Sequence, residues 1–195
     1  MATKSFNVKD LVNAGVFSVL CILVTYVGGC IGFIPVLMPF VPMSCAFFGS
    51  IVFILYTTRI HRFGMVMILG IIFALVFSMS GHGIYIWIGA LLCALISEWI
   101  LKQGGYKSIR HARWACCAFM LCMMFNFLPL ILSRDAYLQQ LLDSGYGEEF
   151  VEQFSAVLPT WSMLPIAMGT VLGAYIGASL GIRFMKKHFK KANMV

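Results

Sequence analysis

Long apolar runs alternate along the chain with short polar segments. Six runs stand out: Leu11–Ile34, Val41–Thr58, Phe63–Met79, Ile84–Leu101, Trp114–Leu132 and Ser162–Phe184. Crossing a hydrocarbon core takes about 20 predominantly apolar residues. Backbone N–H and C=O groups in lipid must be satisfied within the segment, so each run predicts a transmembrane helix. Phe63–Met79 is near the lower limit and is expected to borrow length from its neighbours. The pattern predicts an all-α, polytopic membrane protein: a single domain over residues 1–195, with six spans and a long outer loop over 133–161.

Charge orients these spans. Of the 14 Lys and Arg residues, all but Arg134 lie in the N-terminus, Arg59–Arg62, Lys102–Arg113 and the tail from Arg183 to Lys191. Lys/Arg-rich loops stay in the cytoplasm, which predicts both termini inside. Trp87 and Trp161 fall at the outer interface, and Trp99 and Trp114 at the inner one, as an aromatic belt requires. All six prolines lie in the outer half, where the missing amide and the restricted preceding residue break helices.

Composition agrees. Charged residues make up 11% of the chain, against roughly 25% in soluble domains. No polar stretch is long enough for a separate soluble domain. The net charge of +7 is topological and does not mark a nucleic-acid surface, because the basic residues sit at membrane exits and are not interleaved with aromatics. The seven cysteines form no CxxC and no zinc-finger spacing with His, so they read as small buried hydrophobes. The first apolar run is too long for a cleaved signal peptide.

The outer connections differ in kind. Gly28–Pro42 is apolar and uncharged, and is expected to fold back onto the protein. Ser80-Gly81-His82-Gly83 is a tight turn. The third connection carries five of the seven acidic residues, Asp135, Asp143, Glu148, Glu149 and Glu152. Asp135–Leu142 and Glu148–Leu158 are expected to form short surface helices, and a loop of this length points to a lid or binding element.

Several residues could carry function. Gly169, Gly173, Gly177 and Gly181 recur at i+4 in the last span and make a strip on which another helix can pack closely. His82 lies between two glycines with Tyr85 one turn on, either a ligand contact or a turn histidine bonded to a neighbouring loop. Asn126 is the one amide in the middle of an apolar span, either a substrate contact or an interhelical hydrogen bond. Glu98 lies at the cytoplasmic end of a span, within i+4 reach of Lys102. There is no HExxH, GxSxG or Walker P-loop, so an enzyme is not expected and no resident cofactor or metal is predicted.

The stretches NVKDLVNAGVF, GFIPVLMP, GHGIY, LKQGGYKS, SRDAYL, PTW and GASLGIRFMKKHFKKA together resemble the Trep_Strep family of bacterial integral membrane proteins over about Asn7–Ala192. That family resembles a branch of the S components, the substrate-binding subunits of energy-coupling factor (ECF) ABC importers. The resemblance implies a six-helix subunit of the bacterial cytoplasmic membrane. Such a subunit captures a small cofactor-like or metal-containing solute outside and docks on a T membrane subunit that carries two ATPase subunits. Docking on the T subunit uses an Ala-xxx-Ala pair, matched here by Ala14 and Ser18, where the serine departs from the pattern. The pocket would be closed by the first outer loop, the His82 turn and the long loop with Arg134, Asp135 and Tyr137, with Trp161 and Asn126 on its wall. Arg134 would pair with a substrate carboxylate or with the acidic loop itself.

Aromatic residues, a histidine and 13 methionines would suit an aromatic cofactor, a porphyrin or an iron chelate. The competing reading is a non-transport membrane scaffold that uses the glycine strip and the outer loop to hold a partner.

Overall fold

A computed structural model describes residues 8–59 and 61–191. Lys4 lies outside them, and of residues 8–10 and 186–191 only the helical backbone is described. Among the described residues every regular element is a helix. They are α1 (Val8–Gly29), α2 (Val41–Arg59), α3 (Met65–Met79), α4 (Tyr85–Gln103), α5 (Ile109–Met120), α6 (Leu128–Leu132), α7 (Arg134–Asp143), α8 (Glu148–Val157) and α9 (Met163–Lys191).

Five segments are long and apolar enough to cross a membrane: Leu11–Phe33, Pro35–Arg59, Tyr85–Gln103, Ile109–Leu132 and Thr160–Met185. The sixth expected span is α3, and it is short. Its 15 residues rise about 22 Å at roughly 1.5 Å per residue. It does not borrow length from its neighbours, because Gly64 (φ +93°) and Gly81 (φ +87°) turn the chain at both ends.

Contacts fix the direction of each helix. Thr58 of α2 meets Met185 of α9, and Lys102 at the end of α4 lies 5.4 Å over the Phe63 ring. At the opposite end Tyr26 of α1 hydrogen-bonds Ser80, just after α3. The start of α1 and the end of α9 therefore lie at the end that carries Arg59, Lys102 and Arg110. The helices bury a shared core that includes Phe53, Phe73, Phe119, Leu69 and Met120. Large apolar side chains such as Val16, Leu23, Leu92, Ile96 and Leu172 remain exposed on its outside, as a bilayer solvent requires.

The closest seam joins α2 and α9, which run parallel. A Cβ on Gly173 would strike the Met43 carbonyl, and one on Gly177 the Phe47 carbonyl. A Cβ on Gly181 would lie 3.0 Å from the Ile51 carbonyl oxygen, and Gly169 also faces Met43. The four-residue spacing of the glycines thus matches a four-residue spacing of backbone carbonyls on α2, and the strip is used inside the chain.

The basic end is regular and pinned by buried polar groups. Gly64 offers no side chain to cap α3, so the cap comes from another helix. Glu98 of α4 is fully buried and accepts from the Val66 amide at 2.8 Å and from the Tyr106 hydroxyl at 2.9 Å. A carboxylate at a helix N-terminus also complements the helix dipole. The expected pairing with Lys102 or interfacial exposure of Glu98 gives way to this cap: the carboxylate is fully buried beside the first amides of α3, and Lys102 lies over Phe63 instead. Ser108 caps α5 through the His111 amide.

The outer half is irregular. The expected continuous helix over Trp114–Leu132 is broken into α5, a 3-10 stretch over Leu121–Phe127, and α6. Pro129 cannot donate to the Phe125 carbonyl four residues back. The Leu128 amide takes that carbonyl in a tighter turn.

Candidate functional site

Helix breaks at the outer end leave a cavity of about 520 Å³ among α1, α2, the Ser80–His82 turn and the 3-10 stretch that carries Met123 and Asn126. The uncharged connection after α1 does not project outward. It folds into two 3-10 turns, Cys30–Phe33 and Pro35–Phe40, whose Gly32, Phe33 and Met38 line the cavity.

The roof is α7 and α8. Helix α8 buries Val151 and Phe154, and Phe154 packs with Phe127, Leu130, Leu158, Met163 and Ile166 in a second, smaller core. Phe150 and Phe154 stack with centroids 6.3 Å apart, and Tyr137 of α7 tilts over Phe154 at the same separation. Burial pushes the Tyr137 phenol pKa up, so it stays protonated. Arg134 clasps the two roof helices: Nη1 donates to Leu158 O at 2.9 Å, and Nη2 to Ser155 O at 2.7 Å and Ser155 Oγ at 3.0 Å.

On the wall, Tyr26 stacks on Phe77 with centroids 4.8 Å apart, and Phe77 meets the His82 ring edge-on at 5.2 Å. His82 Nδ1 is 3.2 Å from the Phe77 carbonyl oxygen, which can only accept, so Nδ1 carries the proton. Burial lowers the His82 pKa below its ordinary 6.5, which keeps the imidazole neutral at pH 7. Asn126 Oδ1 is buried and has no hydrogen-bond partner.

The sequence profile of the Trep_Strep family, described as a hypothetical bacterial integral membrane protein, matches residues 8–191. The chain belongs to the Trep_Strep family. It is an integral membrane protein with several membrane-spanning helices. Neither a curated protein nor a solved structure matches it.

The cavity of this Trep_Strep chain brings together some of the residues expected from its sequence and leaves others apart. His82, Asn126 and Tyr137 line it; Tyr85, Arg134, Asp135 and Trp161 do not. Trp161 is 74% exposed on the outer rim, where an interfacial tryptophan belongs. Asp135 is exposed in the first turn of α7. Arg134 is spent on the α8 carbonyls and pairs with neither a carboxylate of the loop nor the cavity.

Ala14 and Ser18 need a larger correction. Both are fully buried and face the bundle, so in this arrangement they are not a docking surface. The outward face of α1 is Val12, Val16, Val19 and Leu23, with open space at Gly15. A pair of small residues at i+4 identifies a face open to close approach but does not say whether that face turns inward.

Tyr26, Phe77, Met123, Phe127, Phe150 and Phe154 also line the cavity, without having been candidates from the sequence. The last pair sit at i+4 on α8, a spacing that marks an apolar face within an otherwise acidic segment. Tyr26 and Phe77 stand inside apolar runs with nothing to distinguish them from other core aromatics. Among the described residues no cluster of three or more His, Cys, Asp or Glu could hold a metal ion. The thiols of the described cysteines are all free, and of the seven only Cys30 is exposed, on the cavity wall.

Proposed function

We propose that this Trep_Strep protein is the substrate-binding subunit of an ECF-type importer of the bacterial cytoplasmic membrane. It captures a small solute at its outer end and depends on a T subunit and two ATPase subunits for release inside. The observation that carries this reading is the roofed, largely apolar cavity at the end opposite the basic loops. A concave apolar site with a few convergent polar groups is the usual form of a small-molecule site, and the positive-inside rule puts the opposite end outside. Binding without catalysis suits the lining: its titratable groups are one neutral imidazole, phenols and thiols, with no carboxylate as acid–base partner.

The scaffold reading has lost one support, because the glycine strip is filled by α2 of the same chain. Extraction from native membranes in mild detergent tests the proposal. Native mass spectrometry is expected to find one small molecule per chain, together with a T subunit and two ATPases in the intact complex. A chain that repeatedly emerges without any solute and without those subunits would sink it.

A further inference from the structure

A second concavity lies toward the basic end. A groove of about 570 Å³ runs along α5, flanked by Ile100 and Gln103 of α4 and by Val171 of α9. On α5 it is lined by Arg110, His111, Trp114, Cys117, Ala118 and Leu121. These recur at three- and four-residue steps and so share one face of the helix.

The groove is graded along its length. Gln103, Arg110 and His111 lie at the basic end, and from Trp114 to Leu121 the lining is apolar. No Asp or Glu lines it. From Arg110 to Leu121 the chain rises about 16 Å at roughly 1.5 Å per residue. One leaflet's share of the hydrocarbon core is about 15 Å. The groove therefore reaches from the headgroup level to near the bilayer midplane, and stops where α5 gives way to the 3-10 stretch.

Its polar end is prepared for a partner. Arg110 is exposed, and among the described residues no hydrogen bond or ion pair engages its guanidinium or the Gln103 amide. His111 is fixed in place: a Cβ on Gly104 would lie 2.6 Å from its side chain, and its Nδ1 is 2.8 Å from Ser108 Oγ. That contact leaves Nε2 for another group. Arg113 is committed elsewhere, with Nη1 donating to the Tyr175 hydroxyl at 2.8 Å and the guanidinium 4.9 Å over the Tyr175 ring. Tyr175 meets Trp114 at 5.9 Å between centroids, which steadies the indole at the depth where interfacial tryptophans sit.

An unengaged cation above an apolar channel one leaflet long complements an amphiphile with a phosphate head and an acyl tail. The positive-inside rule puts the groove in the cytoplasmic leaflet, where lipids with net negative charge gather at basic segments. We propose that the groove along α5 is a retained site for one anionic phospholipid, its phosphate at Arg110, His111 and Gln103 and an acyl chain along Trp114, Ala118 and Leu121. The site shares no lining residue with the outer cavity and does not depend on the capture role.

Native mass spectrometry of the full chain in nonionic detergent tests this, with phosphatidylglycerol and phosphatidylcholine of identical palmitoyl and oleoyl chains as probes. One phosphatidylglycerol per chain is expected to be retained, about fivefold tighter than phosphatidylcholine. Arg110→Gln should bring the two lipids within about twofold of each other. Arg183→Gln removes the same charge from the same end outside the groove, and should leave the preference in place. Equal retention of both lipids by the unaltered chain would mean ordinary lipid contact and overturns the proposal, whether or not the variants fold. Loss of the preference in Arg183→Gln as complete as in Arg110→Gln also overturns it. So does displacement of the lipid by an equal concentration of sn-glycerol 3-phosphate, which would assign the polar end to a free phosphate. A photo-crosslinking amino acid in place of Ala118 should label phospholipid in native membranes; a protein adduct there would give the groove to a partner subunit instead.

Discussion

The α2–α9 seam and the exposed turns of the outer end both rely on glycine, yet they treat an added side chain in opposite ways. Along the seam, glycines let two backbones touch, and a Cβ at Gly173 or Gly177 would enter a carbonyl oxygen of α2. In the exposed turns of the outer end, Gly81, Gly83, Gly145 and Gly147 have nothing within 4 Å of an added Cβ, while at the cavity lining a Cβ on Gly32 would lie 3.1 Å from the Val41 side chain. Glycine at the seam is a packing device and is intolerant of change. Glycine in the exposed outer turns serves the backbone and faces open surface. A membrane offers no hydrophobic drive between helices, so close backbone contact is what holds the frame. The cavity exists because prolines and 3-10 turns keep that contact from extending to the outer end.

The sharpest way to break this contrast is Gly177→Leu. Overpacking against backbone that cannot yield is expected to cost about 3 kcal/mol or more, read as loss of monodisperse protein and a large fall in melting temperature. Gly147→Ala, at an ordinary backbone φ of −67°, should change stability by no more than about 0.5 kcal/mol. Similar tolerance at both positions would remove the distinction.

Next in size is Glu98→Ala. It strips the cap from α3 and leaves the Val66 amide buried without a partner, a loss of about 2 kcal/mol. Hydrogen exchange should rise at the start of α3, near Met65, and not at its Ser80 end. The opposite distribution would contradict the cross-helix cap.

Arg134→Met tests the roof. Losing three hydrogen bonds to Leu158 and Ser155 is expected to cost about 1–2 kcal/mol locally. Exchange should quicken across Glu148–Val157 while the global melting temperature barely moves. If exchange there is unchanged, the clasp does not hold the lid.

The smallest effect is with pH. Because burial depresses the His82 pKa, the unfolded chain takes up that proton near 6.5 while the folded chain resists it. Stability is therefore whole above about pH 6.5 and declines as pH falls toward the lowered folded value. His82→Gln should flatten that decline between pH 7 and 5, measured by thermal unfolding in the same detergent. An unchanged slope would place the decline on other groups.

The candidate site was legible only in part. His82 and Asn126 were visible because a polar residue between glycines, or alone within an apolar run, is locally unusual. The apolar first connection was expected to fold back onto the protein from its lack of charge, and Gly32, Phe33 and Met38 do line the cavity, but its two 3-10 turns bury no residue and Phe33 and Ile34 are exposed. Arg134 was also conspicuous, but its target was not: the carbonyls it holds lie more than 20 residues away on α8. Ala14 and Ser18 illustrate the same limit, since a row of small residues favours close approach without saying from which side.

The sequence by itself determined that this is an all-α membrane protein, roughly which segments enter the membrane, and that its basic loops gather at one end. Those properties belong to each segment alone, because transfer of a helix into lipid depends on its own composition and on the charges beside it. The tertiary structure decided which helix fills the glycine strip, that Glu98 caps α3, that Arg134 clasps the roof and that Asn126 is left without a partner. Each of these depends on residues distant in sequence meeting in one register, and on geometry set by a proline-broken helix and two 3-10 turns. Hydropathy and charge are read along one dimension; an unsatisfied acceptor exists only once every neighbour has been placed.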